Sequence, residues 1–348
     1  MKVLKPEKYI SLEEVSRDKN NNLNFIRFIA AIMVILGHAY PLSGEKSEWL
    51  ARITTGQASL GGWAVCIFFF FSGFWLCRSV QKNPTFYEFF KARCIRIFPC
   101  LIAVVFICTF VLGSLTTELS LQEYFSNIHT YRYLLNSLFI LQHNLPGVFE
   151  HNIYGATVNG SLWTLPVEFL CYIACYLAWR TGILTEKKLK YTVPIFIIGY
   201  VLLSVLSGKL PLIFSVLRPC GMFYLGMLYN VYRKYISINP LVVSLCILGL
   251  IASTFIHLLR YSVLLFMPYI LIYLSFGTRT KLSSFGKKYE LSYGMYLCAF
   301  PIQQTVTMLF GGSMEPIMNF IVCIPIVLLT AFFLHTFTAS LVQHKRNF

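Results

Sequence analysis

Two ionisable side chains inside the first apolar segment are the first candidates for chemistry, because an unpartnered charge inside a membrane costs about 3 kcal/mol. This segment, near residues 24–41, contains Arg27 and His38. Eleven helical residues place the two about 16 Å apart. His38 suits a general base, since imidazole titrates near neutrality, and it equally suits a hydrogen-bonded interfacial residue. Arg27 suits a ligand contact or an anchor that reaches the headgroups.

A carboxylate in a later apolar segment, near residues 161–180, is the natural partner for His38. Glu168 lies about seven residues inside that segment, or about 10 Å deep, on the same outer half as His38. A His–Glu pair facing a polar cavity would satisfy both groups, with the carboxylate orienting the ring and stabilising imidazolium. We therefore predict His38 and Glu168 as the catalytic pair.

A basic stretch precedes the third apolar segment. Arg93 and Arg96 are three residues apart and share a face if the stretch is helical. Such a face either orients the chain and contacts lipid headgroups, or it clamps phosphate with guanidinium forks. Small residues such as Ser72 favour close helix packing, and Trp163 has the position of a membrane-interface residue.

The composition requires these side chains to be positioned by membrane helices. Of the 348 residues, 57% are hydrophobic and only 12% charged, too few charges to cover a soluble surface. We predict one all-α domain over residues 1–348, a polytopic bundle of about ten transmembrane helices. Residues 1–22 form a polar cytoplasmic segment, and residues 116–160 form a long extracytoplasmic loop with a membrane-dipping helix near 131–142. The predicted spans are 24–41, 62–80, 97–115, 161–180, 192–207, 211–231, 240–257, 262–277, 290–310 and 317–341.

The distribution of positive charge gives the orientation. Of the 29 Lys and Arg residues, 23 fall in segments predicted inside and 6 outside, when both termini are cytoplasmic. This asymmetry accounts for the net charge of +15 without nucleic acid as a partner. Nearly all of the eleven cysteines fall within or beside apolar runs and none forms a CxxC pair, so we interpret them as small hydrophobic residues and predict no metal site.

Five short motifs follow one another along the chain. They are Arg27 with His38, residues 69–74, Arg93 and Arg96 with Ile97 and Pro99, residues 161–168, and Ser292 and Tyr293 with Tyr296, Leu297 and Pro301. In these motifs and their order the chain resembles membrane acyltransferase family 3, which includes bacterial polysaccharide and O-antigen O-acetyltransferases. The resemblance covers nearly the whole chain. One departure is Ala299, where many members carry a histidine whose role therefore cannot be transferred.

The resemblance implies a multi-pass enzyme of the bacterial inner membrane. It would move an acyl group, most often acetyl, from cytoplasmic acyl-CoA to a hydroxyl of a cell-surface glycan or its lipid-linked precursor. No permanently bound cofactor is implied, and the partners are acyl-CoA, the glycan and membrane lipids. A glycan flippase or transporter is the alternative. The implied roles are catalysis by His38 and Glu168, acyl-CoA binding by Arg27, Arg93 and Arg96, and substrate contact by Ser72, Ser161, Trp163 and Tyr293.

Overall fold

The computed structural model describes residues 10–82, 84–206, 211–278 and 282–344, and within these ranges every regular element is a helix. The α-helices are α1 (Leu12–Arg17), α2 (Leu23–Leu42), α3 (Trp49–Ile53), α4 (Leu60–Val80), α5 (Phe86–Ile107), α6 (Gly113–Thr116), α7 (Leu121–Ser126), α8 (Ile128–Arg132), α9 (Thr164–Arg180), α10 (Glu186–Leu206), α11 (Pro211–Val231), α12 (Pro240–Phe255), α13 (Leu259–Ile272), α14 (Ser292–Leu309) and α15 (Pro316–His344). A π-helical turn, Cys108–Leu112, continues α5, a 3₁₀ turn, Tyr133–Leu138, follows α8, and a second π-helical turn, Tyr273–Gly277, continues α13.

Among the described residues, five stretches of helix are long and apolar enough to cross a membrane. They agree with apolar segments predicted from the sequence, and each of the ten predicted spans overlaps a helix. The protein is therefore a multi-pass, all-helical membrane protein. The count of ten spans and the cytoplasmic termini stay predictions. The five stretches are Leu23–Leu42, Leu60–Val80, Phe86–Thr116, Leu259–Gly277 and Pro316–Ser340.

Short helices occur in both segments that lie outside the predicted spans. Residues 116–160 hold α7, α8 and the 3₁₀ turn Tyr133–Leu138, and this turn lies within the helix predicted near 131–142. The extracytoplasmic and membrane-dipping placement of residues 116–160 stays a prediction. In the N-terminal segment, Ser11 and Glu14 form a capping box that starts α1, and Ser120 and Glu123 do the same for α7. Part of the charge count lies outside the described residues, namely Lys2, Lys5, Lys8, Lys209, Arg279, Lys281, Lys345 and Arg346.

The chain divides into two compact units. The first comprises Met1–Ile26, Cys66–Lys82 and Cys171–Lys287. In it, α4 and α11 approach so closely that a Cβ on Gly73 would lie 2.0 Å from the Phe223 carbonyl oxygen. A Cβ on Gly226 would lie 2.1 Å from the Phe70 carbonyl oxygen. The small residue after Ser72 therefore serves helix packing, as such residues do in membrane bundles.

The second unit comprises Arg27–Val65, Asn83–Leu170 and Lys288–Phe348, and it contains all but one of the predicted site residues. Here α14 packs on α15, and buried amide side chains join this helix pair to α2. The Gln303 Nε2 donates to the Ile35 carbonyl and to the Asn319 Oδ1, each at 2.9 Å. Asn319 donates in turn to the Thr307 hydroxyl at 3.0 Å. These bonds fix α14 against the turn of α2 that precedes His38.

Candidate active site

The imidazole of His38 packs against α14. Its ring meets the Phe300 ring edge-to-face, with centroids 5.2 Å apart. The Nδ1 atom is buried and has no hydrogen-bond partner in the described part of the chain. A buried ring nitrogen without a partner is costly in a native structure. The Nδ1 atom is therefore available for a hydrogen bond with a ligand group that enters beside Phe300.

Pro301 explains how the loop before α9 is bonded to α14 beside Phe300. A proline has no backbone N–H, so the Leu297 carbonyl, four residues earlier in α14, lacks its helical donor. The Asn159 Nδ2 supplies that donor at 2.8 Å. One residue on, Gly160 lies against Phe300, where a Cβ would come within 2.8 Å of the ring. The loop is thus bonded to α14 through Asn159 and contacts the Phe300 ring through Gly160.

Further hydrogen bonds complete the docking of this loop. The Tyr296 hydroxyl donates to the Ser161 carbonyl at 2.8 Å and shares a hydrogen bond with the Thr164 hydroxyl at 2.6 Å. The Ser161 hydroxyl is buried and has no partner within the described ranges. Trp163 is half-buried directly before α9. The predicted substrate residues Ser161 and Trp163 therefore lie on the loop that α14 anchors, while Ser72 lies on α4 in the first unit.

Glu168 and His38 both face α14, but the structure does not join them through Nδ1. The Glu168 carboxylate lies near enough to the Tyr296 hydroxyl for the two to interact electrostatically. Tyr296 and Phe300 are four residues apart, so they share a face of α14 about 6 Å apart along its axis. The two predicted catalytic side chains thus approach neighbouring turns of one helix. The Nδ1 atom of His38 has no hydrogen-bond partner among the described residues, and the pairing of His38 with Glu168 stays a prediction.

A charged cluster lies near the other end of α2. The Arg27 Nη1 is 3.6 Å from the Glu290 Oε1, with the side chains 16% and 32% exposed. Burial raises the pKa of Glu290, but the charges of Arg27 and Arg96 and the hydrogen bond from the Ser292 hydroxyl outweigh it and lower that pKa overall. Glu290 is therefore ionised, and it brings Arg27 and Arg96 into one electrostatic cluster.

Tyr293 and Arg93, two other residues of the predicted site, contact protein groups near the Arg27 end of α2. The Tyr293 hydroxyl donates to the Ile97 carbonyl at 3.0 Å, which ties the first turn of α14 to the residue after Arg96. The Arg93 guanidinium lies over the Phe89 ring at 5.8 Å. Arg93 is half-buried and Arg96 is exposed. The structure thus brings Arg27 and Arg96 together through Glu290, and it places Arg93 one turn earlier on α5.

Two carboxylates that matter here were not singled out from the sequence. Glu290 stands beside the Ser292–Tyr293 motif, and a charge at the edge of a predicted span is the signal that could have found it. Glu48 is 5% exposed although it lies in a connecting segment. It accepts a hydrogen bond from the Leu60 backbone N–H, and its other oxygen lies 3.3 Å from the position that a Cβ on Gly37 would take. No pattern in the sequence marks Glu48 as buried.

Comparisons with known proteins identify the family of this chain. A family described as an acyltransferase domain matches residues 20–336. The chain is a member of membrane acyltransferase family 3. It is therefore an acyltransferase, and the resemblance carried by the five motifs is confirmed.

Two relatives of this acyltransferase are informative. An O-acetyl transferase from Shigella phage Sf6 is 32% identical over 303 residues, which cover 83% of this chain and 86% of the phage protein. Nodulation protein 10 from Rhizobium leguminosarum bv. viciae is 30% identical over 171 residues, which cover 46% of this chain and 44% of that protein. No solved structure matches the chain.

Proposed function

We propose that this acyltransferase is an O-acetyltransferase that moves an acetyl group from cytoplasmic acetyl-CoA to a hydroxyl of a cell-surface glycan or its lipid-linked precursor. The observation that carries the proposal is the chemistry at the two ends of α2. One end has a buried imidazole with an unpartnered Nδ1, and the other has a cluster of arginines. The name of the phage relative supports acetyl as the group transferred. The proposed location is the bacterial inner membrane.

His38 is the residue proposed to move the proton. When the acceptor hydroxyl attacks the thioester carbonyl, a C–O bond forms and the hydroxyl proton passes to the imidazole. The C–S bond then breaks, and the proton leaves with the CoA thiolate. In a second route the ring nitrogen attacks the thioester carbonyl, so that a C–N bond forms and the C–S bond breaks to release the CoA thiolate. The acceptor hydroxyl then attacks the acyl carbon, the C–N bond breaks, and the hydroxyl proton passes to the thiolate. Both routes need an unprotonated ring nitrogen, and the Nδ1 of His38 is not occupied by another hydrogen bond.

Arg27, Arg93 and Arg96 are proposed to hold the phosphates of the donor. Guanidinium groups bind phosphate oxygens through paired N–H donors, and Arg96 is exposed to a ligand from the water phase. Glu290 keeps the charges of Arg27 and Arg96 partly balanced when no donor is present. The reacting thioester would then extend along α2, whose eleven residues between Arg27 and His38 span about 16 Å.

The direct test is transfer of labelled acetyl from acetyl-CoA to membrane glycan by the full-length protein purified in detergent. His38→Ala should abolish transfer while folded yield and thermal unfolding stay normal. His143→Ala is a matched control, because His143 is exposed and lies in the same unit. Wild-type turnover by a folded His38→Ala protein would remove His38 as base or nucleophile. Glycan movement across a liposome without acetyl transfer would instead support the transporter.

Glu168 is proposed to act on the same chemistry through charge. Glu168→Gln keeps the shape of the side chain and removes the negative charge that would stabilise imidazolium. Transfer should fall by orders of magnitude with little change in thermal unfolding. The double variant with His38→Ala should be no less active than His38→Ala alone, since residues that act as a unit are non-additive. Full activity of Glu168→Gln would exclude this role.

A further inference from the structure

A basic cavity in the first unit is lined by none of the residues named in the chemistry proposed above. It has a volume of 340 Å³ and lies between the end of α1, the turn that follows it and the last turns of α4. Four cationic side chains line it, Arg17, Lys19, Arg78 and Lys82, against one acidic residue, Asp18. Such an excess of positive charge around an open cavity attracts a multiply charged anion.

Arg78 is held in place before any ligand binds. One guanidinium N–H donates to the Ser16 carbonyl at 2.9 Å, and the group lies 5.5 Å from the centroid of the Trp75 ring. Arginine has five N–H donors, so the bond to Ser16 leaves others available to a ligand. A guanidinium that is already oriented loses less conformational entropy on binding than a mobile one.

The two lysines add mobile charge at the rim. Lys19 and Lys82 are exposed, and no ion pair or hydrogen bond of either side chain is found among the residues described. Arg17 differs, because it forms an ion pair with Glu13 at 2.8 Å. Lys19 and Lys82 can therefore reach an anion held by Arg78 without breaking an existing contact.

The position of the cavity at the end of α4 indicates which class of anion it would bind. Trp75 and Arg78 belong to the last turns of α4, which is long and apolar enough to cross a membrane. The ends of a membrane-crossing helix meet the lipid headgroups. We propose that this cavity binds a phosphate-bearing group. Two sources share that chemistry, the headgroup of an anionic phospholipid and the phosphates of the acyl donor. The inference needs only binding, so it does not depend on acetyl transfer.

The test compares two double variants of the full-length protein. Lys19→Gln with Lys82→Gln removes the rim charges from exposed positions, so folding should be unaffected. Lys187→Gln with Lys188→Gln is the matched control, because both are exposed lysines at the start of α10 outside the cavity. Affinity is measured for free coenzyme A by calorimetry in neutral detergent. It is measured for phospholipid by comparing nanodiscs of phosphatidylglycerol with nanodiscs of phosphatidylcholine.

The cavity variant should bind at least one probe about tenfold more weakly at low salt, and the control should stay within twofold. A loss for coenzyme A alone assigns the cavity to the donor, and a loss for phosphatidylglycerol alone assigns it to lipid. Arg78→Lys, which keeps the charge but loses the planar fork, should weaken the same probe. Unchanged affinity of the cavity variant for both probes would overturn the proposal and leave these cations as determinants of topology.

Discussion

Gly160 offers a test of whether Phe300 positions the proposed base. Gly160→Ala adds one methyl group on the loop face that meets Phe300, and the backbone φ of Gly160 lies outside the left-handed region, so alanine is not strained there. The new Cβ would lie 2.8 Å and 3.0 Å from two ring carbons of Phe300. Phe300 in turn packs edge-to-face on His38. A side chain added at Gly160 would therefore displace the Phe300 ring, and the ring in turn would displace the His38 imidazole.

The size of the effect follows from these distances. Non-bonded carbons rest about 3.5–4.0 Å apart, so the Phe300 ring must move by roughly 0.7 Å or more. Interiors are close-packed and transmit such shifts, and overpacking of this kind costs about 1–3 kcal/mol of unfolding free energy. A misplacement of about 1 Å can lower a rate by about 100-fold. We expect kcat to fall roughly 10- to 100-fold.

The assay is steady-state acetyl transfer with acetyl-CoA varied, together with thermal unfolding in detergent. The KM for acetyl-CoA should be unchanged, because the proposed phosphate contacts lie at the other end of α2. Gly61→Ala is the matched control. Gly61 lies in the same unit, and a Cβ there would meet no atom within 4 Å. Its kcat and thermal midpoint should equal those of the wild type.

A double variant decides whether the effect passes through Phe300. Phe300→Leu removes the ring carbons that the methyl group added at Gly160 would strike, so Gly160→Ala in that background should cause no further loss. Contacting residues typically show such coupling, at about 0.5–3 kcal/mol. Equal kcat for Gly160→Ala and the wild type, or additive losses in the double variant, would refute a positioning role for Phe300.

Three further predictions concern charge and packing. Glu290→Gln should lower the unfolding free energy by about 1–2 kcal/mol, because the attraction of about 4–5 kcal/mol to Arg27 at 3.6 Å is reduced by partial solvent exposure. In an Arg27→Gln background the loss should become smaller, since only Arg96 and Ser292 then still stabilise the carboxylate; an equal loss in thermal unfolding would contradict the ion pair. Burial raises the pKa of Glu48 despite its backbone hydrogen bond, so folding favours the protonated acid. The free energy of unfolding should therefore fall as the pH rises from the ordinary pKa of a glutamic acid through the raised pKa. Glu48→Gln should flatten this pH dependence in thermal unfolding, and an unchanged pH dependence would contradict the prediction. Gly73→Ala should lower the free energy of unfolding by about 3 kcal/mol or more and sharply reduce the yield of folded protein. The reason is that its Cβ would collide with the Phe223 backbone, which cannot rotate away. A normal yield of folded protein would contradict the helix contact.

The sequence alone determined the fold class, the membrane setting and the residue types that could do chemistry. Apolar segments of helical length are local features of composition, so their positions could be predicted and each overlaps a helix. The spacing of Arg27 and His38 along α2 is likewise a local property of one helix. The family could be identified because its five motifs keep their order along the chain.

Only the tertiary structure decided which of these residues meet. Three features of the site depend on how α14 lies against α2, α5 and the loop before α9. They are the unpartnered Nδ1 of His38, the approach of Glu168 to Tyr296 and the pairing of Arg27 with Glu290. That placement depends in part on the carbonyl freed by Pro301, whose partner Asn159 is far away in sequence. Contacts between distant segments leave no periodic signal in the sequence, because they depend on the packing of whole helices rather than on the spacing within one.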